Sequence, residues 1–194
     1  MSFRRGAGRV DPDTEYLASS ELDYRGHPDV MSLSQIALLS ATFLCSLVAG
    51  LLFAFAVVVM PGLRSLDDRG FIRAFQAIDR VIQNNQPLFL LVWVGSAFSL
   101  LAAAGLGLWA FRSTDQLLSI VAMLVYLLGV QLPTITVNIP LNNALQKLDV
   151  GQLSDSAAQQ ARAGFESRWN RSNVFRTICA SVTSILLLLL LLTM

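Results

Sequence analysis

The stretch LSQIALLSATFLCSLVAGLLFAFAVVVM, residues 33–60, runs without one Asp, Glu, Lys, Arg or His. About 20 residues at 1.5 Å rise cross a ~30 Å hydrocarbon core. Lipid offers the backbone no hydrogen-bond partner, so an apolar run of this length is expected to be an α-helix. Three further runs of the same kind lie at 87–111, 117–140 and 174–194. All 13 acidic residues fall outside the four runs, and the 14 basic residues do so too except at run edges. Charged residues make up 14% of the 194, where a soluble domain carries about 25%. The chain therefore reads as all-α, a four-helix transmembrane bundle in contact with membrane lipids. Its net charge of +1 gives no sign of a nucleic-acid partner.

Residues 1–31 differ from the rest. They are polar, mixed in charge and lack an apolar h-region, so they read as a disordered tail rather than a signal peptide or part of a core. Residues 32–194 form the membrane domain. Met60, Pro61 and Gly62 give a helix stop and turn signal at the end of the first span. In the connection that follows, Phe71, Phe75, Ile78 and Ile82 recur at i, i+4, i+7 and i+11, an amphipathic stripe. That helix is expected either to lie among the headgroups or to cap the bundle. Spans two and three are joined by Arg112–Gln116 alone and should be antiparallel neighbours, with Pro133 bending the third. The third connection, 141–173, is expected to carry a second short amphipathic helix from Ser154 to Asn170, capped by Ser154 or Asp155.

Small residues recur every fourth position on two spans: Thr42, Ser46, Gly50 and Ala54 on the first, Gly95, Ser99, Ala103 and Gly107 on the second. Such ridges let backbones approach closely in lipid, which predicts contact between these spans. Loops one and three, together with Arg176 at the edge of span four, hold nine basic residues; the tail and loop two hold five. The positive-inside rule then puts loops one and three in the cytoplasm of what is expected to be a bacterial plasma membrane.

The two cysteines, Cys45 and Cys179, lie inside spans and read as small apolar fillers. The lone His27 sits in the tail, and no Cys, His or carboxylate spacing suggests a metal site. The spans carry no central Asp, Glu, Lys or His to relay a proton or an ion. Asn170-Arg171-Ser172 fits a glycosylation acceptor, a tripeptide common by chance.

The polar residues that do approach the spans gather at one end. Asn138 and Asn142 are one turn apart at the end of span three. Trp169, Asn173 and Arg176 share a face at the start of span four, and Gln83 to Gln86 precede span two. Read as a pocket, this end offers amides and a fixed cation to an oxygen-bearing aromatic or anionic ligand. Read as architecture, the same residues cap helices, join them, or sit in the interface belt. Both readings stand on the spacing.

Four segments carry a family resemblance: AGLLFAFAVVVMPGL at 49–63, FIRAFQAIDRVIQNNQPLF at 71–89, VNIPLNNAL at 137–145 and WNRSNVFRT at 169–177. The chain resembles the anthrone oxygenase-like family of small four-helix membrane proteins, over roughly residues 33–190. The resemblance implies oxidation of a lipophilic phenolic or anthrone-like substrate by dioxygen, with no metal, flavin or other cofactor. It implies an active site lined by Asn138, Asn142, Trp169, Asn173 and Arg176. Arg176, Asn138 and Asn142 take the catalytic roles; Trp169, Asn173, Gln83 and Asp79 bind substrate, and Asp79 is the nearest base. The alternative is a non-catalytic membrane protein that binds a lipid or a protein partner.

Overall fold

A computed structural model describes residues 31–193. The tail expected over 1–31, with His27 and four arginines, lies outside the described residues apart from Met31, and so does Met194. The described residues form five helices and no strand. They are α1 (Leu33–Arg64), α2 (Asp68–Gln83), α3 (Pro87–Ala110), α4 (Ser113–Gln146) and α5 (Asp155–Thr193). All but α2 are long and apolar enough to cross a membrane, which makes this an integral membrane protein. Large apolar side chains such as Phe98, Leu128 and Ile178 point outward, as a lipid-facing surface requires. α1 packs along α3 and α5, α5 along α4, and α3 with α4 closes the ring.

Pro61 does not stop the first helix. α1 continues through it to Arg64, and α4 likewise runs through Pro133 and Pro140 to Gln146. Each proline follows a π turn, at Phe55–Val59, Leu127–Gln131 and Thr134–Asn138. A proline lacks the N–H of an α-helical bond, and its ring clashes with the carbonyl four residues earlier. Those carbonyls belong to Val57, Gly129 and Thr136, all within the π turns, where the wider i→i+5 pattern makes room.

The second short helix expected in the third connection does not exist as a separate element. α5 is one unbroken helix of 39 residues, ~58 Å at 1.5 Å per residue. No Gly or Pro stands between Asn170 and Val174 to interrupt it. Its cap is Ser154, whose Oγ accepts the Ala157 N–H at 3.2 Å. The loop-side third of α5 therefore projects beyond the span, and α2 and the end of α4 pack on it.

The expected contact between the first two spans is present, and a Cβ built on Gly95 would lie 3.2 Å from Leu44 Cδ1. The face of α1 that makes the core is different, however. Leu38, Ala41, Cys45, Val48 and Leu52 are buried, whereas Ser46 and Gly50 are exposed. Of the small stripe only Thr42 is buried, with Ala54 half-buried, so the core face overlaps the stripe in part and runs mainly through Leu38, Val48 and Leu52. Gly129 serves the close approach instead: a Cβ there would stand 2.5 Å from Cys179 Sγ on α5.

Two apolar cores result. The membrane core joins Leu38, Val48, Leu100, Tyr126, Val130 and Leu187. The cap core joins Met60, Phe71, Phe75, Leu145, Phe165 and Trp169. Arg162 fastens the cap, donating to Asp68 at 3.2 Å, Glu166 at 2.8 Å and the carbonyls of Leu66 and Arg64 at 2.8 and 3.0 Å. Phe75 sits at its centre, 4.6 Å from the Phe165 ring and 5.5 Å from Trp169 between centroids. Phe75→Ala should cost about 3–5 kcal/mol, the usual loss for a buried phenylalanine. Thermal unfolding in detergent checks it; a drop below about 1 kcal/mol would show that α2 is held by its polar contacts alone.

Candidate functional site

Between the two cores lies a cavity of about 290 Å³, walled by α1, α2, α3, α4 and α5. Its apolar walls include Phe55, Phe75, Ile78, Phe89, Trp93 and Ile139. Its polar groups are Asp79, Thr134, Asn138, Asn142, Asn173 and Arg176, with Trp169 beside them. Six of the seven residues singled out in the sequence thus come together on one cavity. Gln83 does not line it; its Nε2 donates to Asp79 Oδ2 at 2.6 Å and to Asn143 Oδ1 at 3.3 Å. Neighbouring Gln86 caps α3, its Oε1 accepting from Phe89 N at 2.6 Å, and Asn84 and Asn85 are exposed.

The polar groups form a connected network. Asp79, 4% exposed, accepts from Gln83 and Gln146 on Oδ2, the latter at 2.9 Å, and from Asn142 Nδ2 on Oδ1 at 2.8 Å. A carboxylate has about four acceptor sites, so three amide donors leave one. Asn142 passes the chain on, its Oδ1 accepting the Trp169 indole N–H at 2.8 Å. Arg176 lies over the Trp169 ring, 5.8 Å from its centroid. It donates to Thr134 Oγ1 and Asn173 Oδ1, each at 2.9 Å. Asn173 Nδ2 in turn holds the Leu52 carbonyl at 3.1 Å, next to the π turn of α1.

Arg176 is the electrostatic centre of this wall. Its exposure is 4%, all its hydrogen-bond partners are neutral oxygens, and the described ion pairs do not include it. A buried guanidinium ordinarily has an anionic partner, because desolvation costs several kcal/mol. Its Nε and the Asn138 Nδ2 are buried with no partner among the protein's atoms. The cavity wall thus includes two residues with unpartnered donors, Asn138 on α4 and Arg176 on α5, and the Asp79 carboxylate on α2.

Sequence reading passed over several of these residues. Thr134 and Gln146 extend the four-residue series Asn138, Asn142 in both directions, a signal that was there to be used. Phe55, Phe89 and Trp93 carried no such signal, since one aromatic in an apolar run resembles another. Asn173 also borders a smaller cavity of about 230 Å³ with Pro61, Arg64, Glu166 and Asn170. Asn170 is half-buried in the unbroken α5, and the Ser172 hydroxyl of the same tripeptide is bound to Asn138. Among the described residues no three His, Cys, Asp or Glu side chains come together as a metal site.

No curated protein and no protein of solved structure matches the chain. The sequence profile of one family, anthrone oxygenase, matches residues 76–186, from the middle of α2 to the last turns of α5. That segment holds every polar residue of the cavity and more than half of the chain. The chain belongs to the anthrone oxygenase family.

Proposed function

We propose that the cavity binds a lipophilic, anthrone-like phenol and oxidises it with dioxygen without a cofactor. The observation that carries this reading is the unneutralised Arg176 on the wall of a largely apolar cavity that also holds the Asp79 carboxylate. At about 290 Å³ the cavity stands near the lower end for small-molecule sites, about 300–1,000 Å³. A flat, fused aromatic suits that size and those aromatic walls.

The chemistry asks little of the protein. In an anthrone the carbonyl and the methylene lie across the central ring, so one end can meet Arg176 while the other meets Asp79. Asp79 takes a methylene proton, and the negative charge that develops on the carbonyl oxygen is stabilised by Arg176, while the Asn138 amide binds the same oxygen and holds it in place. The enolate passes one electron to dioxygen, and the resulting pair combines at the former methylene carbon as a peroxide anion, which takes back the proton held by Asp79. The hydroperoxide then breaks its O–O bond and loses the remaining C–H hydrogen as water. One anthrone and one dioxygen become one anthraquinone and one water. Asn142 and Trp169 hold Asp79 and Arg176 in place and contact the rings.

The excess of basic residues in loops one and three supports a cytoplasmic side for them, and with them for the cap and the cavity. The rival reading, a non-catalytic protein that binds a lipid or a protein partner, draws on a specific fact. Asn142 and Asn173 both spend their amides on bonds between helices. Purified protein in detergent, given anthrone under oxygen, should form quinone above the spontaneous rate, with one dioxygen consumed per quinone. A rate equal to background would remove the oxygenase reading and leave binding.

A further inference from the structure

Helices α4 and α5 are joined at the cavity by two consecutive rungs. Arg176 donates to Thr134 at 2.9 Å, and one turn away on both helices Ser172 Oγ donates to Asn138 Oδ1 at 2.6 Å. Arg176, Thr134 and Asn138 line the cavity; Ser172 does not. Asn138 is 2% exposed, and its Nδ2 has no partner among the protein's atoms. An unmade bond at a buried amide is costly, so the direction in which this amide points matters to whatever enters the cavity. With the Ser172 hydroxyl donating to Oδ1, the nitrogen is the end of the amide left without an occupant.

We propose that Ser172 is a positioning residue, which holds the Asn138 amide so that Nδ2 donates to a carbonyl or phenolate oxygen of the cavity's ligand. The role rests on the cavity being a binding site for an oxygen-bearing aromatic, and it does not require that the ligand be oxidised. The other rung leaves Arg176 Nε without a partner. Each helix thus contributes one buried donor without a protein partner, on a residue that lines the cavity. Asn138 contributes through a neutral hydrogen bond, which forms with the ground state as well as with the enolate. Losing its alignment should weaken binding more than it slows the chemical step.

The test uses the full-length protein in detergent and 1-hydroxyanthraquinone as the probe, read by quenching of tryptophan fluorescence, since Trp93 and Trp169 line the cavity. Ser172→Ala is suited to the middle of a helix, so folded protein is expected. It should raise the probe Kd about three- to tenfold, the worth of one aligned hydrogen bond. With anthrone as substrate, KM should rise in parallel while kcat stays within about twofold. Ser172→Thr keeps the hydroxyl and should restore both constants to within about twofold of wild type. A folded Ser172→Ala variant that binds the probe as tightly as wild type would overturn the proposal. So would a Ser172→Thr variant as weak as Ser172→Ala, because the proposal rests on the hydroxyl that threonine retains. Tight, Ser172-dependent probe binding with no quinone formed would sink the oxygenase reading and keep this one. Quinone formation with a probe Kd indifferent to Ser172 would do the reverse.

Discussion

Arg176→Met should yield a folded protein whose turnover of anthrone has fallen about 10²- to 10³-fold, the usual loss when one stabiliser of a developing oxyanion is removed. The stability side of this prediction follows from the guanidinium's surroundings. Its partners are Thr134, Asn173 and the face of Trp169, all neutral. Removing it strands no buried counter-charge. The two acceptors lose a donor, at about 1–3 kcal/mol, and relief of the guanidinium's desolvation, several kcal/mol, offsets this. Methionine is flexible enough to fill the space. Thermal unfolding should thus change little while kcat collapses. If instead the variant unfolds readily and the folded fraction turns over like wild type, Arg176 is a strut between α4 and α5 and the oxyanion role is lost.

Asp79→Asn should be as damaging, with kcat down about 10²- to 10⁴-fold for the loss of a positioned base. The side chain keeps its size but only one of its two terminal atoms still accepts. Gln83, Gln146 and Asn142 all donate to Asp79, so at least one donor meets the new NH₂ group, costing about 1–3 kcal/mol. Anaerobic exchange of the substrate's methylene hydrogens in deuterated buffer isolates the proton transfer from the reaction with dioxygen. Wild-type protein should accelerate that exchange, and Asp79→Asn should not. Equal exchange by the two proteins would mean that the proton leaves to another acceptor.

On the proposed reading, Asp79 and Arg176 are two buried charges kept unpaired for the ligand. A direct ion pair would satisfy both and leave nothing for a ligand. Holding them on different helices, linked through Asn142 and Trp169, keeps both available at moderate cost. The arrangement depends on α2, which Arg162 and the cap core fasten against α5.

The sequence alone determined the class of the protein and the number of spans. Uncharged runs of this length have one solution in lipid, and no later contact can alter it. It also marked most of the polar residues of the cavity, because polar groups near a span are scarce enough to be counted. Three things were decided only by the tertiary structure. Pro61 and Pro140, read as the ends of their spans, proved to be internal to α1 and α4, since a π turn absorbs the ring. The buried face of α1 runs through Leu38, Val48 and Leu52 and keeps only Thr42 of the small stripe, because packing against α3 and α5 selects the face that fills the axis. The cavity itself lies between two cores whose residues are far apart in the chain, with Phe55, Asp79, Trp93 and Arg176 on four different helices. Spacing along one helix fixes which side chains share a face. Which faces meet, and what space they leave, depends on how the helices pack, and no local pattern encodes that.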